Sequence, residues 1–160
     1  MSDTGPRHRT EAQKNLVGFV VGPVAYAVDI GRVREIVNPL EVTPLPHMPF
    51  EVAGVSDHRG EVIPVIDLRA RFGLDRADSG RNTKWILLHA GGERSVGIIV
   101  DAVTEVFGAI EGIRPTPEVG GNRDVRGIAG VVTHNGRLTF VLETGRFIEI
   151  FEALSASGVV

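Results

Sequence analysis

The feature that most constrains the fold is that the sequence repeats itself. Two short apolar runs around Gly22-Pro23 return about seventy positions later as two runs around Gly91-Gly92. Five residues of the stretch 54–67 also recur in order in the stretch 130–143, and a sixth is matched by a similar residue. The matched pairs are Gly54 with Gly130, Val55 with Val131, His58 with His134, Gly60 with Gly136, Val65 with Val141 and Asp67 with Glu143. Each repeat has about sixty residues, too few for a strong core, so we expect two similar β modules that pack together with a groove between them.

The matched stretch predicts a strand, a tight turn and a second strand in each repeat. In the first copy the turn is centred on Arg59-Gly60, where glycine takes a positive φ without steric cost. The β-branched residues that follow suit a pleated sheet. In the second copy the turn is Asn135-Gly136, a strong hairpin signal. The two hairpins should therefore share a backbone and differ mainly at their tips.

Helical spacing occurs at two places in the chain. Apolar residues between Ile30 and Val37 predict one or two helical turns that end before Pro39. The proline-rich stretch 44–49 then predicts an extended connector. Apolar residues in 146–154 predict a closing helix.

These signals divide the chain into segments. Residues 1–14 are polar and should form a disordered N-terminal tail. We expect the folded domain over 15–152, with a first β module at 16–72, a polar linker at 73–84 and a second module with the closing helix at 85–152. Residues 153–160 should be frayed.

Composition excludes several classes of function. The net charge of −3 and the lack of a long basic run argue against nucleic acid or an anionic membrane as the main partner. The absence of cysteine excludes disulfides and cysteine-ligated zinc. The N-terminal stretch has no signal-peptide pattern, and no apolar run reaches the roughly 20 residues of a membrane helix. We therefore expect a cytoplasmic protein that does not insert into a membrane.

Residue patterns for catalysis and metal binding are also missing. The five histidines show no zinc-like spacing with one another or with carboxylates. Asp57 and His58 are adjacent, so on a strand their side chains would point to opposite faces. We expect no metal, no cofactor and no enzymatic activity, which favours protein–protein interaction. Two alternatives stay open: a small-ligand sensor that uses the groove between the modules, and a hydrolase that uses Asp57 and His58.

The stretch 54–69 resembles the hallmark of the CheW-like family, the coupling proteins of bacterial chemosensory arrays. That hallmark reads Gly-Val-x-Asn-Leu-Arg-Gly-x-Val-x-Pro-Val-x-Asp-Leu-Arg, and here the stretch reads GVSDHRGEVIPVIDLR. The resemblance covers residues 16 to about 152 and includes the segments 26–36, 96–103 and 113–117. It implies an all-β fold of two SH3-like five-stranded barrels, related by the repeat and sharing a hydrophobic interface, to which the helical spacing adds short helical turns and a C-terminal helix.

The resemblance also implies a function and its partners. It indicates a scaffold that links the cytoplasmic tip of a methyl-accepting chemoreceptor to the regulatory domain of a CheA-type histidine kinase, in chemotaxis or motility, and that joins membrane receptor arrays through these partners. Positions matched to the family's receptor-binding groove are Val33, Gly54, Val103 and Val106. Positions matched to kinase contact and control are Glu35 and Arg59.

The sequence departs from the family pattern beside Arg59. Asp57 and His58 stand where the family usually has Asn-Leu. We therefore add both to the candidate kinase-control residues, and we expect Asp57 to pair with Arg59. The departure suggests a divergent coupling protein.

Overall fold

The computed structural model describes residues 14–110, 112–115 and 127–160. Residues 1–13 of the predicted tail 1–14 lie outside the described residues, as do Thr116 and Pro117 of the segment 113–117, whereas Lys14 begins the first strand. A 3₁₀ turn spans Ile30–Arg32, helix α1 spans Leu68–Arg71 and helix α2 spans Gly145–Ala156. The strands are β1 Lys14–Val21, β2 Val24–Asp29, β3 Val33–Val37, β4 Val52–His58, β5 Glu61–Asp67, β6 Lys84–His89, β7 Ser95–Val100, β8 Ala102–Ala109, β9 Ile128–His134 and β10 Arg137–Leu142.

The strands form two five-stranded sheets that exchange strands between the repeats. Sheet A has the order β8-β1-β2-β10-β9, and sheet B has the order β3-β6-β7-β5-β4. Each sheet takes two strands from one repeat and three from the other. The all-β fold with two five-stranded units is confirmed, but within the described part of the chain strand pairing does not close either unit into the predicted barrel. Neither half of the sequence builds a sheet by itself. Pairing uses backbone groups that every strand offers, so the sequence pattern locates strands without saying which ones are neighbours.

The prediction of one or two helical turns between Ile30 and Val37 is wrong for most of this segment. Only its first three residues are helical, and the rest is strand β3. β3 pairs with β6, and the register shifts between Val33 and Glu35. Such a bulge adds one residue, so Val33 and Ile36, three apart, both lie opposite residues of one face of β6. The bulge therefore produced the spacing that resembles a helix.

A shared core joins the two sheets, and each sheet also has a small core of its own. The shared core contains Val17 and Phe19 from sheet A with Ile86 and Ile98 from sheet B, all at most 1% exposed. Leu16, Ala27, Ala109, Val132 and Val141 form the separate core of sheet A. Ile63, Val65, Trp85 and Leu87 form that of sheet B. The predicted packing of two similar units against each other follows from the shared core.

Helix α2 closes the shared core, as its apolar spacing predicted, and continues two residues beyond Leu154 to Ala156. Phe147 is fully buried, and the guanidinium of Arg71 lies 5.2 Å from the centre of its ring. Arg71 also donates to Glu51 over 3.0 Å. Burial lowers the pKa of Arg71, whereas the charge of Glu51 raises it. Arginine nevertheless stays charged at physiological pH, so the cation remains available to hold α2 in place.

A buried hydroxyl gives a stability prediction. Ser56 on β4 is 4% exposed, and its Oγ finds no hydrogen-bond partner among the described residues. An unpaired buried polar group costs about 1–3 kcal/mol, so Ser56→Ala should raise the free energy of unfolding by about 1 kcal/mol in urea titration. The control is Thr139→Val, because the Thr139 hydroxyl donates to the carbonyl oxygen of Arg137 and its loss should give no gain. A lower stability for Ser56→Ala would contradict the prediction.

Candidate functional site

Side chains join the two edge strands of sheet B at the tip of the β4–β5 hairpin. Glu35 lies on β3, at one edge of the sheet, and the hairpin lies at the other. Arg59 donates to both carboxylate oxygens of Glu35, with distances of 3.0 Å to Oε1 and 2.8 Å to Oε2. His58 Nε2 lies 3.3 Å from Oε1. We call Glu35, His58 and Arg59 the first tip cluster. Its side-chain contacts link the two edges of the sheet, between which no strand pairing occurs among the described residues.

The turn at this tip has the backbone that the sequence predicted. Arg59 and Gly60 both have positive φ, at 54° and 83°, as a type I′ turn requires. The carboxylate of Asp57 accepts the backbone N–H of Gly60 over 3.0 Å. The expected pair between Asp57 and Arg59 is therefore wrong, because Asp57 is engaged with the turn and the arginine reaches across to Glu35.

In the first tip cluster, the Arg59 cation faces solvent and is supported by two partly buried side chains, Glu35 and His58. The side chain of Arg59 is 73% exposed, whereas those of Glu35 and His58 are 28% and 16% exposed. An exposed ion pair contributes about 0–1 kcal/mol to stability. The bidentate contact therefore matters more for fixing the direction of the guanidinium than for holding the fold together.

A second tip cluster occupies the matching place in sheet A and was missed by the sequence analysis. Glu105 lies on edge strand β8, and its Oε2 is 2.7 Å from His134 Nε2 and 3.3 Å from Asn135 Nδ2. The ring of Phe107 stacks on His134 with centroids 3.8 Å apart. The stretch 102–107 (AVTEVF) corresponds to 32–37 (RVREIV), which pairs Glu105 with Glu35, and His134 corresponds to His58. A signal for this cluster was therefore present in the sequence.

The candidate receptor residues of β3 and β8 border the shared core. Val103 and Val106 lie opposite Phe19 and Val17 of the shared core. Val33 lies opposite Leu88, which also belongs to that core. Val33 and Val103 are partly buried against it, whereas Val106 is 55% exposed. The repeat adds one residue that the sequence analysis did not select: Ile36, which is 40% exposed and matches Val106.

Gly54, the fourth candidate receptor residue, lies in a different environment. Residue 54 is buried where β4 meets Thr43, and Thr43 exchanges two backbone hydrogen bonds with Val55 over 2.8 Å and 3.0 Å. A Cβ at position 54 would lie 2.3 Å from the carbonyl oxygen of Thr43. The same arrangement recurs at Gly130, where a Cβ would lie 2.5 Å from the carbonyl oxygen of Arg114. The structure thus gives Gly54 a backbone-packing role.

The comparisons with known proteins agree in one family. The model of the CheW-like domain matches residues 15–152. The chemotaxis protein CheW of Rhizobium meliloti is 33% identical over 139 residues, which cover 86% of this chain and 88% of that protein. Protein FrzA of Myxococcus xanthus is 32% identical over 119 residues, covering 74% of this chain and 73% of that protein.

A solved structure shows the same architecture. The crystal structure of the scaffolding protein TtCheW from Thermoanaerobacter tengcongensis matches with a TM-score of 0.73 and 31% sequence identity. The match covers 81% of this chain and 88% of that one. Within the part of the chain that the structure describes, no helix combines the length and the apolar character needed to cross a membrane.

Proposed function

This chain belongs to the CheW-like family and is a scaffold of a chemosensory system, and we propose that it couples a methyl-accepting chemoreceptor to a CheA-type histidine kinase. We place it on the cytoplasmic side of the membrane, associated with receptor arrays through these partners. We assign it no enzymatic activity, since the family's scaffolding role requires none.

The observation that carries this proposal is the apolar strand edge beside the shared core. Val106 stands 55% exposed on β8, directly across from the buried Val17, and Val103 continues the same face inward. Exposed apolar surface that continues a core is suited to receive the apolar face of a helix. We propose that the receptor tip docks here and at Val33, whereas Gly54 contributes by keeping β4 packed against Thr43.

The first tip cluster is the proposed site of kinase contact. Arg59 is exposed and held in direction by two hydrogen bonds to Glu35, and an arginine presented in this way can bind a carboxylate of a partner. His58 supports the same carboxylate, and Asp57 stabilises the turn. All four candidate kinase residues thus contribute to the position of one guanidinium.

The direct test is a pull-down with the receptor tip and the kinase regulatory domain of the same operon. We expect the chain to retain both partners, together and separately. Retention of neither partner by the folded protein would contradict the coupling function. The comparisons give no support to the alternative of a small-ligand sensor.

The contribution of Arg59 gives a sharper prediction. Arg59→Ala should weaken kinase binding about tenfold or more, since arginine is enriched among the interface residues whose truncation costs about 2 kcal/mol or more. Its thermal stability should change little, because the ion pair is exposed. The matched control is Arg81→Ala, an exposed arginine of the loop between α1 and β6. Equal kinase affinity of the two variants, measured by calorimetry, would place the contact elsewhere.

A further inference from the structure

The two tip clusters are built alike, but among the described residues the second has no counterpart of the Arg59 cation. In the first cluster Arg59 binds both oxygens of Glu35. In the second, the residue at the same turn position is Asn135, and both contacts of Glu105 among the described residues are made by its Oε2. The side chain of Glu105 is 50% exposed, compared with 28% for Glu35. The second cluster therefore presents a carboxylate with an accessible oxygen.

A cleft lies beside Glu105, with a volume of about 240 Å³. It is lined by Gly18, Tyr26, Phe107, His134 and Thr139 in addition to Glu105. The two sheets can be compared strand by strand, because β1 corresponds to β6 and β10 to β5. In this comparison Gly18 corresponds to Leu87, and Thr139 corresponds to Ile63. Leu87 and Ile63 fill the separate core of sheet B. Sheet A has smaller side chains at these two positions, and the cleft lies beside them.

We propose that this cleft receives an arginine side chain from a protein partner. The guanidinium of that arginine binds the carboxylate of Glu105 in the way that Arg59 binds Glu35. The first cluster shows that a glutamate at the corresponding position of edge strand β3, with a histidine beside it, accepts a guanidinium through both oxygens. The inference rests on the proposed function in one respect: it takes from that function that the partner is a protein.

The chemistry of the cleft favours arginine over other occupants. A planar guanidinium matches a carboxylate in a bidentate way and stacks on aromatic rings, which a lysine ammonium does less well. The stacked rings of Phe107 and His134 offer such a surface. Arg137 also lines the cleft, but its Nη2 donates to the carbonyl oxygen of Pro23 over 2.8 Å. Pockets for small molecules usually have about 300–1,000 Å³, so this one is suited to a single side chain.

The test is an NMR titration of the isolated chain with N-acetyl-L-arginine N-methylamide, and with the corresponding lysine compound at equal ionic strength. We expect saturable shifts at Phe107 and His134, with a dissociation constant on the order of a few millimolar and at least fivefold weaker binding of the lysine compound. Absence of a saturable shift with the arginine compound would overturn the proposal.

Two variants make the test specific. Glu105→Gln should abolish the shifts by removing the charge, and Asn135→Arg should abolish them by supplying the guanidinium from the chain itself. The control is Glu149→Gln on α2, whose parent side chain is 68% exposed, and which should bind as the wild type does. Unchanged shifts in Glu105→Gln would also overturn the proposal. A failure of the coupling function would appear separately, as absence of assembly with receptor and kinase, because the titration needs neither.

Discussion

Replacing Gly54 by alanine is expected to lower the free energy of unfolding by about 3 kcal/mol or more. A Cβ at this position would lie 2.3 Å from the carbonyl oxygen of Thr43 and 2.8 Å from a methyl carbon of Val42. The backbone of Thr43 cannot move away without losing its two hydrogen bonds to Val55. In thermal unfolding the loss corresponds to a fall of roughly 6–12 °C for a domain of this size.

Gly60→Ala is the matched control for this prediction. Gly60 also has a positive φ, at 83°, but a Cβ added there would meet nothing within 4 Å. Its substitution should cost only about 1–2 kcal/mol, from the backbone conformation alone. Equal losses in the two variants would mean that steric contact with Thr43 is not what requires glycine at position 54. A stable Gly54→Ala protein that had lost only receptor binding would instead favour a direct docking role for this residue.

The strands were predictable because their signals are local. The turns at Arg59-Gly60 and Asn135-Gly136 lie where the glycines placed them, and the repeat predicted two units of like construction. The exchange of strands between the sheets was not predictable from these signals, since it depends on which backbone edges meet. Strand β3 was mistaken for helix because its bulge changed the spacing of Val33 and Ile36.

The candidate site was predictable only in part. Glu35 and Arg59 were selected through the family resemblance, and their bidentate contact forms between opposite edges of one sheet, a proximity that strand periodicity does not encode. Asp57 was assigned to the wrong partner, because its position two residues before Arg59 suggested an ion pair, whereas its carboxylate accepts the backbone N–H of Gly60. The cluster around Glu105 follows from the repeat, but the cleft beside it depends on packing in three dimensions.

The largest expected effect on binding concerns Val106, whose replacement by aspartate should weaken receptor binding by about thirtyfold or more. A residue at the centre of an interface typically contributes about 2 kcal/mol or more, and a charge there would lose its hydration without a partner. Val106 is 55% exposed, so the free protein should keep its fold and its melting temperature. Affinity for the receptor tip can be measured by calorimetry, with circular dichroism on the same sample.

Two further variants separate docking from folding. Leu138→Asp introduces the same charge on β10 of the same sheet, at a residue that is 52% exposed and does not lie on the β8 edge proposed for docking, so receptor affinity should stay at the wild-type value. Val103→Asp places the charge against the shared core, so it should lower stability and report on folding more than on docking. If Val106→Asp and Leu138→Asp bound the receptor equally well, the exposed edge of β8 would not be the docking site. Weak binding by Val106→Asp alone, with unchanged stability, would assign the receptor to this edge.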